Sequence, residues 1–126
     1  MHGAARLFIA LGALFGALGV VLGAFGAHAL KGRLDPQALQ VYHTAVQYQL
    51  WHAVALLAVG LLGSTLPTSA WLKVSGWLFA AGIAIFSGSL YLISAAGARW
   101  LGAVTPLGGA ALILGWLALA LAVLRA

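Results

Sequence analysis

The chain contains no cysteine and a single acidic residue, Asp35. The first absence excludes disulfides, thiolate metal sites and cysteine nucleophiles, and leaves the compartment open. The second excludes the paired carboxylates on which general acid–base chemistry often relies. Charge of either sign is scarce: 6% of 126 residues, against 64% hydrophobic. No soluble domain of this size has so little charged surface. The six Lys and Arg residues give a net charge of +5 but stand singly over the ends and loops. That dispersion suits topology signals and headgroup contacts, so membrane lipids are expected partners and nucleic acid is not.

What the chain has instead is apolar length. Four runs of about 20 residues are long enough to cross a bilayer as helices. Residues 1–126 therefore read as a single membrane domain: all-α, an integral membrane, antiparallel four-transmembrane-helix bundle. The expected helices are roughly 7–30, 36–62, 69–96 and 106–124. The first run with its A-x-A at Ala27–Ala29 mimics a signal peptide. It exceeds the roughly 7–15 residues of a typical h-region, and cleavage is not expected.

Local chemistry marks several boundaries. Asp35-Pro36 joins a good N-cap to a residue preorganised for the first helical turn. Pro67 lies among small and hydroxyl residues, a turn signature. Gly97 follows the third helix, and Thr105-Pro106 repeats the cap-plus-proline device before the fourth, which could instead begin near Trp100 with a kink. Trp71, Lys73 and Trp77 resemble an interfacial anchor. In the first helix Gly12, Gly16, Gly19, Gly23 and Gly26 recur at steps of four and three. That heptad rhythm predicts a seam along which another backbone approaches closely. A helical homo-oligomer is one way to use it.

Polar groups are concentrated between Gly23 and Ala53, which holds His28, His43, His52 and all four glutamines. The second helix, at about 40 Å, is longer than the hydrocarbon core. Its first turns are expected at the headgroups or inside the bundle. Gln40, His43 and Gln47 share one face, and Tyr48, Gln49 and His52 roughly the opposite one. A helix polar on both sides is expected in the interior or at a subunit contact rather than against lipid. His52, deeper in the span, is expected to be neutral and hydrogen-bonded. Tyr91 falls between Ser87 and Ser94 on one stripe of the third helix. His28, His43, Gln47, Tyr48, Gln49, His52 and Tyr91 are thus the candidate ligand-binding residues, opening toward the first and third loops. The plain alternative is that they only hydrogen-bond helices together. No catalytic residue, metal site or cofactor is expected. Zinc wants three or four convergent ligands, and no haem-attachment motif is present.

GAFGAHALKG, TAVQYQLWHA, FSGSLYL (Phe86–Leu92) and GAVTPLGG (Gly102–Gly109) in this order resemble family 423 of the domains of unknown function. The resemblance covers nearly the whole chain. It implies a small multi-pass protein of the bacterial inner membrane with no established activity. It also lends weight to Gly23, Gly26, His28, Lys31, His43, Gln47, Tyr48, Gln49 and His52, and assigns none a role. Three functions compete. The favoured one is a non-catalytic, homo-oligomeric packing or binding module whose polar end holds a lipid headgroup, a quinone or a partner helix. A small transporter or channel comes second, since its usual intramembrane carboxylate is missing. An enzyme comes last, since no nucleophile–base pair is visible.

Overall fold

A computed structural model describes residues 3–126. Four helices account for most of it: α1 (Gly3–Phe25), α2 (Pro36–Leu62), α3 (Ala70–Ala96) and α4 (Thr105–Leu124). Each is long and apolar enough to cross a membrane. Winding changes from α to π over Gly26–Leu30 at the end of α1, and a 3₁₀ turn, Arg99–Ala103, leads into α4.

The helix boundaries follow from local chemistry. Asp35 Oδ1 accepts from Ala38 N at 2.8 Å, and Pro36 opens α2. Ser69 caps α3 in the same way, accepting from Leu72 N at 3.2 Å. Gly97 ends α3 at φ 70°, a left-handed turn for which glycine carries no steric penalty. Thr105 departs from the expected cap. Its hydroxyl donates to Leu101 O at 3.2 Å and meets Ser89 Oγ at 2.6 Å. The preceding 3₁₀ turn already supplies carbonyls there, so the side chain is free to bridge to α3.

Helices adjacent in sequence pack on one another, and α1 and α4 share no sustained contact. The central pair is α2 and α3. α1 lies along one side of it and α4 along the other. Glycines close the outer contacts. A β-carbon at Gly12 would stand 2.9 Å from Ala53 O, one at Gly19 2.6 Å from Leu50 Cδ2, and one at Gly26 would overlap the Tyr42 ring. Partners descend along α2 as they ascend along α1, so the two run in opposite directions. On the other side Gly108 meets the Phe86 backbone and Gly115 the Phe79 ring. At close range dispersion supplies the attraction that lipid denies to ordinary apolar contact. Gly16 stands apart from the seam, with nothing within 4 Å of its added β-carbon. It lies about 40° around the helix from Gly12, on the flank of the stripe. Between the helices sits a core of Phe8, Leu56, Val59, Leu72, Phe79, Ile83 and Leu112.

Candidate binding site

The polar residues of α2 separate into three groups. The first faces α1 and α3. Gln49, only 2% exposed, donates through Nε2 to Phe15 O at 2.8 Å and accepts from the Tyr91 hydroxyl at 2.6 Å. One amide thus ties three helices. Seven residues earlier on the same face, Tyr42 packs edge-on against Tyr91 at 5.3 Å and donates to Leu22 O at 2.5 Å. Ser87, one turn before Tyr91, donates to Ala45 O at 2.8 Å. The π turn begins at Gly26, one turn beyond the carbonyl that Tyr42 takes.

The second group faces α3 and α4. His52 Nδ1 lies 2.7 Å from Tyr48 O, and Trp116 donates its indole N–H to His52 Nε2 at 3.0 Å. A carbonyl can only accept and an indole can only donate. The ring is therefore the neutral tautomer with its proton on Nδ1. Tyr48 stacks on His52 at 5.9 Å and tilts against Phe86 at 4.7 Å. Phe79 meets Trp116 edge-on at 5.0 Å.

The third group faces outward. Gln40, His43 and Gln47 are exposed, and their side chains make no hydrogen bond among the described residues. His43 touches only the edge of Tyr42, at 6.3 Å between ring centres. His28, in the π turn, is exposed and its ring makes no hydrogen bond among the described residues. Of the two positions expected for the first half of α2, the interior or a subunit contact, this face does not take the first within the single chain. α2 has neighbours on two sides only, and the remaining sector is open. The opposite face also divides. Gln49 lies about 100° from Tyr48, enough to reach a different helix. His28 and His43 are not brought to His52, and the described residues hold no cluster of three His, Asp or Glu suited to a metal ion.

Tyr42 and Trp116 join the site beyond the residues expected there. Tyr42 carried a signal, standing one heptad before Gln49. The Trp116 partnership depends on the α2–α4 register and leaves no trace in the sequence.

Two grooves flank the α2–α3 pair. On the α1 side a small one of about 140 Å³ reaches Gln49, Ser87 and Tyr91. On the α4 side a groove of about 770 Å³ is lined by Tyr48, Trp51, His52, Phe86, Leu112 and Trp116, with Val54, Gly109 and Ile113 at its edges. It is apolar, aromatic and within the usual size range of small-molecule sites. The Tyr48 hydroxyl and the Trp51 indole N–H are its polar side-chain groups without a partner among the described residues.

The family described as "Protein of unknown function (DUF423)" matches residues 22–109, which include the polar residues of α2 and Tyr91 but not Phe15 or Trp116. The chain belongs to this family. It is 46% identical over 120 residues to the UPF0382 membrane protein YwdK of Bacillus subtilis, covering 95% of this chain and 98% of that one. It is 44% identical to the UPF0382 membrane protein SERP0230 of Staphylococcus epidermidis, covering 95% and 97%. No solved structure matches. Like its DUF423 relatives, the chain is an integral membrane protein of a family without an established activity.

Proposed function

We propose that this protein is a non-catalytic membrane module that takes a lipid-like amphiphile sideways from the bilayer into the groove between α2 and α4. The groove itself carries the reading. Its length along α2, from Tyr48 to Val54, lies inside the span, so its contents must come from the hydrocarbon phase. The aromatic walls suit an acyl chain or a flat isoprenoid-like ring. The Tyr48 hydroxyl can donate to a carbonyl on such a molecule. No buried side-chain N or O lacks a partner among the described residues.

The test fills the groove. A β-carbon at Gly109 would stand 3.6 Å from the Phe86 ring, ordinary van der Waals distance, so Gly109→Leu projects into the groove without a backbone clash. Native mass spectrometry of the purified protein should find a retained amphiphile that Gly109→Leu loses. Equal retention by both proteins would overturn the reading.

One observation favours self-association as a second reading. Gln40, His43 and Gln47 rise along the open face of α2 above Trp51 and Val54, and unpaired amides beside hydrocarbon are costly. A glutamine amide both donates and accepts, so a second copy in isologous contact could satisfy it. Cross-linking of single cysteines at Gln47 in native membranes should give dimers. Monomer alone would remove this reading.

A further inference from the structure

Directly along the groove toward the first and third loops lies a second cavity, of about 360 Å³. It is lined by Asp35, Gln37 and Val41 of the α2 start, Ile93 and Ser94 of the α3 end, and Arg99 of the following turn. Val41 stands one heptad before Tyr48, and Ile93 one heptad after Phe86. The cavity and the groove therefore share one face of the α2–α3 pair, about 10 Å apart. The cavity lies at the loop end, where the headgroups are.

It contains the chain's sole acidic side chain and one of its six cations. The two do not pair: no Lys or Arg nitrogen comes within 4.0 Å of an Asp35 oxygen among the described residues. Asp35 commits Oδ1 to Ala38 N and keeps Oδ2. Ser94 donates its proton to Leu90 O at 2.8 Å, which leaves its oxygen able to accept. Gln37 carries an amide with no bond to the described chain. One side of the cavity thus offers acceptors and a negative charge, and the Arg99 fork offers donors and a positive one.

We infer that this cavity holds the zwitterionic headgroup of a phospholipid with a primary amine, a phosphoethanolamine, whose tail occupies the groove below. Its ammonium has three N–H donors for Asp35 Oδ2, Ser94 Oγ and the Gln37 carbonyl. Its phosphate matches the planar guanidinium of Arg99. A choline headgroup has no N–H to give, and an anionic glycerol headgroup brings no cation to Asp35. This inference rests on the groove reading above and adds the headgroup class.

The experiment measures binding of phosphatidylethanolamine, phosphatidylcholine and phosphatidylglycerol, matched in acyl chains, to the full chain in detergent by native mass spectrometry. The wild type should prefer the ethanolamine lipid by about three- to fivefold, the scale of one exposed ion pair. Asp35→Asn keeps an excellent N-cap and removes the charge, so it tests recognition without unfolding α2. It should bind the ethanolamine lipid no more tightly than the choline lipid, whereas Arg99→Gln, which removes the partner of a phosphate that all three lipids share, should weaken all three and keep the ethanolamine preference. Gly109→Leu should lose all three alike. Soluble glycerophosphoethanolamine, the headgroup without tails, should compete weakly or not at all. Equal wild-type affinity for ethanolamine and choline lipids would overturn the inference, as would preference for the glycerol lipid, unchanged selectivity in Asp35→Asn, or strong competition by the free headgroup. The groove reading fails separately, by undiminished binding in Gly109→Leu.

Discussion

Gln49→Leu removes a side chain that bonds both neighbouring helices. Two hydrogen bonds are lost, to Phe15 O and from the Tyr91 hydroxyl. Interhelical bonds in membrane proteins are worth about 0.6–2 kcal/mol each, so the substitution should cost about 1–4 kcal/mol. Tyr91→Phe removes one of the two and should cost roughly 1 kcal/mol on the same scale. The sharper quantity is their coupling. If the phenol acts through Gln49, removing it from a chain that already carries Gln49→Leu should cost almost nothing. The double-mutant cycle should then return a coupling of about 1 kcal/mol, well above the roughly 0.3–0.5 kcal/mol within which independent sites add. Equilibrium unfolding in mixed micelles, followed by loss of helical circular dichroism, supplies the four free energies. Strictly additive losses would show that Tyr91 and Gln49 act independently, and the three-helix tie would be refuted.

Gly19→Leu should lower thermal stability and Gly16→Leu should not, because only Gly19 has a neighbour inside contact distance; equal melting temperatures in detergent would contradict the seam. Trp116→Phe leaves His52 Nε2 without its donor, so diethylpyrocarbonate should modify His52 in the variant but not in the wild type, while exposed His28 and His43 react in both. Arg6, Lys73 and Arg125 lie at one end of the molecule and Lys31, Arg33 and Arg99 at the other, three against three. A weak charge bias can still fix orientation, so a reporter fused after Ala126 should mark one side of the membrane; equal activity on both sides would indicate dual topology.

Element boundaries were legible wherever their chemistry is local. Asp35-Pro36, Ser69 and Gly97 each act within a turn of themselves, and the structure uses them so. Thr105 looked the same in sequence and behaves differently because a long-range partner, Ser89, competes for its hydroxyl. The glycine rhythm of α1 showed which face meets a neighbour but not how wide the contact is, and Gly16 falls just outside it. At the site, the polar residues were visible and their partners were not. The acceptors of Gln49, Tyr42 and Ser87 are the backbone carbonyls of Phe15, Leu22 and Ala45. Every residue has such a carbonyl, so only the register between helices selects among them.

The close glycine approaches lie almost wholly within two sequence-local pairs, α1 with α2 and α3 with α4. Each pair is a hairpin that needs little from the other to close. During synthesis the first hairpin can insert and zip together while the second is still being made, since short loops make early closure entropically cheap. The bonds Gln49–Tyr91, Ala45–Ser87 and His52–Trp116 would then form when the halves meet. Cutting the chain between Gly63 and Ser69 should therefore leave two fragments that recombine when made together, and the groove between α2 and α4, with walls from both, would be the last part of the molecule to come into being.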